Sequence, residues 1–599
     1  MDKSCILVII LMFTLLLSCI NNNINNNNND NSGDSTVENT GVTTLSDRSI
    51  ICAFLSNCAP EAEWNPENSI TIGGQFKYEY PPLTTSGLQY ASEQTKPVRY
   101  ALILSRNQSG LYNGGTLSKA DGTFSLKTSP GSTLSAATAY IRLSFDPGFS
   151  CTQPSEGIKI VDNTSNHAYY LLTSTITYSN DTSNAVLLAS LSHSTNYSTT
   201  SSARPFALFD NIITAASFYC SNGGSTDLPL LLVNWSEQNT NTYNGAQSAT
   251  TNFQNGTIGT SFYQRNSFPQ YSSAVSQLFI LGQEDVDTDE FDPTVVAHEF
   301  CHFLEDRVWR SDSPGGSHST GVQLDARLAF SEGFCNGFGV RANSSNTYID
   351  SQGTNQADAL SINTVGTLLA KHKTIYTEDA SQLLAAKVLS SEASKTISTM
   401  VSLSTKHQGL MTLNAMVAEY ASLHGFTSSS TLYQAWNNDL ALPVNALCSG
   451  SCGSTISSPD YWDSDNDLGS DAATKNNSIS PFGSENQDFW KLYTPMGVGT
   501  LQGKTIAEGT SYQGSAFSFW RYFKYTESTG ASRQITLSSS GCSGDDLDLY
   551  LFQNGSQVAK SEGLSCSESI TKQMSQNEVY VIAVQGMNSS VNSFDLKMQ

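Results

Sequence analysis

Basic residues are scarce in this sequence. It contains 30 Lys and Arg against 53 Asp and Glu, which gives a formal net charge of -23 and a pI near 4.6. Because so acidic a chain repels other polyanions, we expect neither nucleic acid nor an anionic membrane surface as a partner. Charged residues of both signs make up only 14% of the chain, which is typical of exported proteins rich in strands and turns rather than of cytosolic helical enzymes.

Long hydrophobic runs are also missing, except for one at the N-terminus. Residues 6–17 are apolar, but this run is too short to span a bilayer comfortably, so we interpret 1–18 as an export signal. It ends in Leu-Leu-Ser-Cys, which resembles a lipoprotein box in which Cys19 becomes the lipidated N-terminus. The Asn-rich sequence that follows cannot form a core, and we predict a tether over 19–60.

These features predict the location of the protein. We expect an exported chain that is anchored by its N-terminal lipid at the cell envelope, at the outer membrane or the cell surface. The alternative is a secreted protein with an ordinary signal peptide, or an uncleaved anchor that contains Cys19 by chance.

The chain is too long for one hydrophobic core, so several domains are expected. Residues 61–148 alternate apolar and polar residues between Asp-Gly and Pro-Gly turns, which predicts an accessory β-sandwich. Residues 149–452 have a strand-bearing first half and a helical second half, the pattern of a multidomain α+β protein. A polar linker, 453–500, separates this unit from a strand-rich end, 501–599.

The C-terminal sequences "DDLDLYLFQNGSQVAKSEG", "ESITKQMSQNEVYVIAVQG" and "NSFDLKMQ" resemble the pre-peptidase C-terminal domain. This resemblance covers about the last 90 residues. It implies that 501–599 is a β-sandwich of the kind attached to secreted bacterial peptidases.

Beyond Cys5 and Cys19, ten of the 12 cysteines remain. An even number in an exported chain predicts disulfides, although the connectivity cannot be derived from spacing. The close pairs are Cys52 with Cys58, Cys448 with Cys452, and Cys542 with Cys566.

The sequence "HEFCH", His298 to His302, is the most informative motif. Residues four apart on a helix lie on one face, so both imidazoles could bind one metal ion. Asp292 is a good N-cap residue and Pro293 suits the first helical position. The chain then runs without a helix breaker to Trp309.

A third ligand is offered by Glu332, in "LAFSEGFCNGFG". Catalytic zinc uses three protein ligands and one open position. The two motifs together resemble the gluzincin zinc metallopeptidases, relatives of thermolysin and fungalysin, over about 200–450. The resemblance implies Zn²⁺ held by His298, His302 and Glu332, with Glu299 as the general base.

Further residues follow from this resemblance. Asn336 takes the place of an Asp that orients a ligand histidine in thermolysin-like enzymes. His318, in "GGSHSTG", is the candidate for stabilising the oxyanion, with Tyr348, His407 and His424 as alternatives. A peptide substrate is expected to pair as a strand with a sheet edge at 256–263 or 276–282.

Two acidic segments leave Ca²⁺ open as a further ion. The first runs over 284–292 and precedes the motif helix; relatives of thermolysin often bind calcium, but the charge pattern favours a solvated connection near a helix N-terminus. The second, "DSDNDLGSD" at 463–471, only partly matches a calcium loop, and we favour an acidic linker.

Each motif also carries a cysteine. Cys301 shares a helical stripe with the two histidines, and Cys335 shares one with Glu332. Because a common metal requires the two stripes to face each other, we predict a disulfide between Cys301 and Cys335. The alternative is a pair of buried thiols that fill the same space. Zinc ligation by Cys301 is disfavoured, since a fourth protein ligand would displace the catalytic water.

The resulting expectation is a zinc endopeptidase that cleaves extracytoplasmic polypeptides. The alternative is an inactive gluzincin fold that serves as an adhesin or binding scaffold. The sequence does not indicate an oligomeric state.

Overall fold

The computed structural model describes residues 45–599 except for 56, 65–66, 145–147, 150, 153–155, 193–200, 268–273, 314, 317, 321–323, 325, 353–356, 362–376, 406–410, 441–493, 505–518, 540–545, 554–555, 565 and 587–593. The predicted signal, Cys19 and the acidic segment 463–471 therefore lie outside the described residues. Within the described part, no helix combines the length and apolarity needed to cross a membrane.

The N-terminal part begins with helix α1 (Leu45–Phe54) and continues mainly as strands. These are β1 (Ile70–Tyr80), β2 (Leu83–Thr84), β3 (Gly87–Leu88), β4 (Gln94–Pro97), β5 (Leu102–Arg106), β6 (Tyr112–Leu117), β7 (Thr123–Thr128), β8 (Ser132–Ala137), β9 (Ala139–Tyr140), β10 (Ile158–Asp162), β11 (Ala168–Tyr169), β12 (Leu171–Tyr178) and β13 (Thr182–Ala189).

Two four-stranded sheets form most of this part. In one, β1 pairs antiparallel with β4 and β7 and parallel with β13; the other has the order β12-β8-β5-β6. The predicted sandwich ended at residue 148, whereas β12 and β13 extend these sheets to Ala189. Strand β13 pairs in parallel with β1 only after a long crossover connection. No local sequence pattern could therefore assign it to this sheet.

Helix α1 belongs to the folded body. Its Ile51 is fully buried in the main hydrophobic core, and Asp47 accepts hydrogen bonds from Ser144. The predicted tether over 19–60 is therefore too long. The short apolar stretch "IICAF" within α1 is enough to dock a helix once a sheet face is available to cover it.

The middle of the chain contains the remaining strands of a mixed sheet, a separate two-stranded sheet and a set of helices. These are α2 (Arg204–Ser221), β14 (Leu231–Trp235), α3 (Ala249–Gln254), β15 (Phe262–Ser267), β16 (Ala274–Ile280), α4 (Pro293–Arg307), α5 (Ala326–Ala342), β17 (Thr347–Ser351), β18 (Ala357–Ser361), α6 (Glu378–Thr405) and α7 (Leu413–His424), followed by short helical turns at Thr431–Tyr433 and Gln434–Asp439.

The mixed sheet has the order β11-β10-β14-β16-β15, with β9 beside β10. Strands β10, β14 and β16 are parallel, and β14 is buried throughout, as expected for an apolar strand covered on both faces. Strand β15 is antiparallel to β16 and lies at the edge. Of the two predicted edges, 276–282 is interior, and 256–263 overlaps the true edge only at its end.

The helices pack closely around α5, and glycines on α5 make this contact possible. A Cβ atom at Gly333 would lie 2.2 Å from the Glu378 carbonyl oxygen of α6. A Cβ atom at Gly339 would lie 2.4 Å from the Thr294 carbonyl oxygen of α4. Helix α5 thus approaches both neighbours at backbone distance, which fixes its position relative to α4.

The C-terminal strands are β19 (Thr494–Pro495), β20 (Gly499–Lys504), β21 (Phe519–Thr526), β22 (Ser532–Ser539), β23 (Leu547–Gln553), β24 (Ser556–Ser561), β25 (Ser567–Gln573), β26 (Val579–Gly586) and β27 (Phe594–Met598). They form a five-stranded sheet, β19-β21-β26-β23-β24, and a four-stranded sheet, β20-β27-β22-β25. Their hydrophobic core also contains Leu324, Leu328 and Ala329. The β-sandwich at 501–599 is therefore present, and it shares its core with the start of α5.

Disulfides occur in the N-terminal and middle parts of the chain and near its C-terminal end. Cys52 bonds to Cys58, as predicted from their spacing. Cys151 bonds to Cys220 at the end of α2, a long-range pair that spacing did not indicate. Cys566 is also disulfide-bonded, whereas the other paired candidates, Cys448, Cys452 and Cys542, lie outside the described residues.

The described chain thus combines β-sheets at both ends with a central unit of sheet and helices, in agreement with the predicted multidomain α+β class. Residues 41–599 form one compact unit.

We predict that Gly339→Ala destabilises the protein. Alanine normally favours a helix interior by about 1 kcal/mol relative to glycine, but here its methyl group meets the Thr294 carbonyl oxygen of α4. We expect the free energy of unfolding to fall by about 1–3 kcal/mol, measured by chemical denaturation. Gly245→Ala is the control, because a Cβ atom placed on Gly245 would have no neighbour within 4 Å; equal effects of both changes would contradict the close packing.

Candidate metal centre

Helix α4 carries the two histidines of the motif. Pro293 occupies its first turn, as predicted, and the helix ends at Arg307 rather than at Trp309. Asp292 stands at the N-cap position, but its side chain does not cap the helix. Instead its Oδ2 atom accepts a hydrogen bond from the backbone N–H of Ser351, so the predicted capping role was wrong.

Helix α5 brings Glu332 to the histidines. The Nε2 atoms of His298 and His302 lie 3.0 Å apart. The Oε2 atom of Glu332 lies 3.2 Å from His302 Nε2 and 3.3 Å from His298 Nε2. Three ligand atoms on two helices thus converge on one point and are close enough to share a metal ion.

Glu305 orients His302. Its Oε2 atom lies 3.0 Å from His302 Nδ1, and Ser331 of α5 donates a hydrogen bond of 2.5 Å to the same carboxylate. A carboxylate on the second imidazole nitrogen fixes the ring orientation and the tautomer of a metal-binding histidine. Asn336, the residue predicted for this role, lines the cleft but forms no hydrogen bond to either histidine among the described contacts.

The charged groups at the centre shift one another's pKa values. Burial would raise the pKa of Glu332, but His318 and His302 hold it well below its ordinary value. Burial would lower the pKa of His302, yet Glu332 and Glu305 raise it well above the ordinary value for histidine. The arrangement therefore favours positive charge beside Glu332, which a bound metal ion would supply in place of protons.

Two more groups face the same cleft. Glu299 is buried on α4 and lines the cleft beside the histidines. His318 is partly exposed; its Nε2 atom lies 3.4 Å from Glu332 Oε2, and its Nδ1 atom lies 3.1 Å from Glu378 Oε2. The resemblance-based candidates Glu299 and His318 are thus both at the centre.

Of the other candidates for an oxyanion donor, Tyr348 lies near the centre and His424 does not. The ring of Tyr348, on β17, lies 6.1 Å from the ring of His298 and borders the cleft. His424 is distant, since it contacts Ser398 and Tyr420 on the outer helices. His407 lies outside the described residues.

The cleft has a volume of about 1020 Å³ and extends along the edge strand β15. Tyr263 of β15 donates a hydrogen bond of 2.7 Å to Asp306 of α4, which fixes this edge against the motif helix. The cleft thus brings the edge strand β15 and the three candidate ligand residues to one open space.

A disulfide joins the two helices that carry the candidate ligands. Cys301 and Cys335 are both fully buried, and their Cα atoms lie 5.3 Å apart. The bond lies one residue from His302 and three residues from Glu332. It thus restricts the separation of α4 and α5 at the level of the centre.

The acidic run before α4 is not the solvated connection that the sequence suggested. Glu290 is fully buried and pairs with Arg204 of α2 at 2.5 Å. Trp235 donates a second hydrogen bond to the same carboxylate. Asp289 and Asp292 are buried as well. Glu290 is accommodated inside the fold because its partners Arg204 and Trp235 arrive from distant elements.

The sequence did not indicate two of the residues that complete the centre. Glu305 lies three positions after His302, so its place on the same helical face could have been noted as a candidate partner. Glu378 lies far along the chain, and nothing in its neighbourhood distinguishes it. Only the packing of α6 against α5 brings it to His318.

Comparisons with known proteins add little. No protein-family model matches the chain, and no curated protein matches it. The pre-peptidase C-terminal domain of a collagenase from Bacillus anthracis is similar over 18% of this chain and 94% of that chain, at 10% identity and a TM-score of 0.15. PliG, a periplasmic inhibitor of g-type lysozyme from Aeromonas hydrophila, is similar over 18% of this chain and 96% of that chain, at 17% identity and a TM-score of 0.12. The first match fits the C-terminal β-sandwich, but TM-scores this low carry no argument about function.

We predict that Glu305→Gln weakens binding of a divalent metal ion about 10–100-fold, because the carboxylate on His302 Nδ1 would be lost. The affinity can be measured by competition with a chromophoric chelator. Asn336→Ala is the matched control and should change the affinity by less than about threefold. A larger effect from Asn336→Ala than from Glu305→Gln would assign the orienting role to Asn336 instead.

We predict that replacing Cys301 and Cys335 together by Ala lowers the free energy of unfolding by about 3–4 kcal/mol, the entropic effect of opening a loop of this length. The metal affinity should fall as well, because α4 and α5 lose a constraint beside the ligands. The control is the double change Cys52→Ala with Cys58→Ala, which should cost about 2 kcal/mol and leave metal affinity unchanged. Free thiols at Cys301 and Cys335 in the oxidised, folded protein would refute the bond.

Proposed function

We propose that this chain is a zinc-dependent endopeptidase in which His298, His302 and Glu332 hold the metal. The observation that carries the proposal is the convergence of two imidazole nitrogens and one carboxylate oxygen beside a second carboxylate, Glu299, in an open cleft. Three protein ligands with one open position are the ligand set of catalytic zinc sites.

The distances support zinc as the ion. Ligand bonds of about 2.0–2.2 Å in a tetrahedron place the ligand atoms about 3.3–3.6 Å apart. The three separations between His298, His302 and Glu332 are 3.0, 3.2 and 3.3 Å, within a few tenths of an ångström of that range. Two imidazoles also suit zinc better than they suit calcium or magnesium, which prefer oxygen ligands.

Glu299 is the general base of the proposed reaction. Zinc, when bound, would supply Lewis acidity that polarises a substrate carbonyl and lowers the pKa of water. The Glu299 carboxylate takes the proton from the attacking water and transfers it to the nitrogen of the leaving amine. Glu299 lies on the same helix as both histidines and lines the same cleft.

His318 is the proposed donor to the carbonyl oxygen as negative charge develops there. Desolvation alone would lower its pKa, but Glu332 and Glu378 raise the pKa of His318 to about 9. Its Nδ1 atom lies 3.1 Å from Glu378 Oε2, which orients the ring and leaves Nε2 on the side of the candidate ligands. Tyr348 is a second donor, since burial and then the Asp350 and Glu299 carboxylates raise its pKa and keep the phenol protonated.

The substrate class follows from the edge strand. An extended polypeptide can add to β15 through backbone hydrogen bonds, a common mode of peptide binding. The cleft, about 1020 Å³ in volume, has room for residues on both sides of a cleaved bond, as an endopeptidase requires.

The proposed location is outside the cytoplasm. The disulfides Cys52–Cys58, Cys151–Cys220 and Cys301–Cys335 fit an oxidising compartment. A lipid on Cys19 would then anchor the chain at the outer membrane or cell surface, and a secreted form is the alternative.

The test is Glu299→Gln in the exported, oxidised chain. We expect one zinc ion per chain in both forms, and a loss of cleavage of a denatured protein substrate by at least about a hundredfold in the variant. Zinc is measured by atomic emission, and cleavage by release of new amino termini.

Glu61→Gln is the control, because Glu61 is exposed in an N-terminal turn and should leave cleavage unchanged. A wild-type chain that binds zinc but cleaves nothing, or that binds no zinc, would support a binding scaffold instead of a peptidase.

A further inference from the structure

A second cluster of carboxylates lies at the N-terminal end of α4. It consists of Asp287, Asp289 and Asp292 from the segment before the helix and Asp350 from β17, and we call it the aspartate cluster. One oxygen of each carboxylate lies within 4.8 Å of the others. Asp289 and Asp292 are 3% and 0% exposed. The cluster is thus a convergence of four acidic groups inside the fold.

In each of the two buried carboxylates, Asp289 and Asp292, one oxygen accepts a hydrogen bond from a described residue and the other does not. Ser261 donates a hydrogen bond to Asp289 Oδ2, and the Ser351 backbone N–H donates one to Asp292 Oδ2. The Oδ1 atoms of Asp289 and Asp292 are buried and, within the described part of the chain, have no hydrogen-bond partner. Fully buried carboxylate oxygens are normally paired or coordinate a metal ion, so these two atoms are candidate ligands of a cation.

Among the described residues, no lysine or arginine forms an ion pair with Asp287, Asp289 or Asp292. The contrast within the same segment is direct, because the equally buried Glu290 pairs with Arg204. Burial, followed by repulsion from the neighbouring carboxylates, raises the pKa of Asp287 to about 7 and that of Asp289 well above its ordinary value. The four carboxylates lie close together inside the fold, and a cation among them would offset their mutual repulsion.

We propose that the aspartate cluster binds a divalent cation of the calcium type. Calcium takes oxygen ligands at about 2.3–2.6 Å, so oxygens on opposite sides of the ion lie up to about 5 Å apart. That span matches the separation within the cluster. The absence of nitrogen and sulfur donors among these four residues distinguishes the site from the histidine centre and argues against zinc there.

The ion has a route into the site and water to complete its coordination. Asp287, Asp289 and Asp350 border the same open cleft as the histidine centre. Calcium needs six to eight ligands, and the cleft side of the cluster can supply the ones that four carboxylates do not.

The cation would connect two elements that flank the histidine centre. Asp292 directly precedes α4, while Asp350 lies on β17, two residues from Tyr348. The backbone of Ile349 already exchanges two hydrogen bonds with the Thr294 hydroxyl. A cation held between Asp292 and Asp350 adds a charged link at the same junction and fixes Tyr348 beside His298. This role does not depend on the proposed peptidase activity.

The experiment uses the full exported chain carrying Glu299→Gln and loaded with zinc, so that neither self-cleavage nor the histidine centre interferes. We expect calcium titration calorimetry to show one additional site with a Kd below about 1 mM, and calcium to raise the unfolding temperature. Asp292→Asn should weaken calcium binding at least about tenfold and remove most of the calcium-dependent rise.

Asp285→Asn is the matched control, since this exposed residue lies in the same acidic run but outside the cluster; its Kd should change less than about twofold. Loss of a carboxylate should also raise the unfolding temperature in calcium-free buffer, because repulsion within the cluster decreases. That second effect shows that Asp292→Asn remains folded.

The proposal is overturned if calcium shows no saturable binding up to about 10 mM, if Asp292→Asn leaves binding unchanged, or if magnesium binds more tightly than calcium. Failure of the peptidase assay with intact calcium binding would affect only the proposed function. Loss of calcium binding with intact cleavage would affect only the cation site.

Discussion

The close contact between α4 and α5 is the constraint on which the rest of the centre depends. The two histidines lie on α4 and Glu332 lies on α5, so the ligand atoms converge only if the helices approach at backbone distance. Gly339 permits that approach against Thr294, and the Cys301–Cys335 bond limits separation at the same level. The sheet, the edge strand and the cleft are arranged around this pair of helices.

A second constraint is the amount of negative charge that this region buries. Two of these carboxylates are compensated by neighbouring side chains: Glu290 by Arg204, and Glu305 by His302 and the Ser331 hydroxyl. Within the described chain, the aspartate cluster has no such cationic side chain on Asp287, Asp289 or Asp292. An acidic chain can fold around so many buried carboxylates only because protons, histidines or metal ions take the place of basic residues.

Much of the centre could be predicted from sequence, because helical periodicity is local. The four-residue spacing of His298 and His302 and the position of Glu332 on a second helix required no knowledge of the fold. The pairing of Glu378 with His318 could not be predicted in the same way, since it depends on helices packing across a long separation. The same reason explains why the acidic run was interpreted as solvated, and why the strands after 148 were not assigned to the N-terminal sheets.

The C-terminal strands share their hydrophobic core with the start of α5, and this limits where the chain can be divided. Leu324 and Leu328 are buried among the C-terminal strands, and Glu332 follows Leu328 by about one helical turn. Cutting the chain before the β-sandwich would therefore not release a separable module. It would expose two leucines and leave the first turn of the ligand-bearing helix without the packing that most helices need to persist in water. The boundary that matters for stability thus lies inside the central unit, not at the linker.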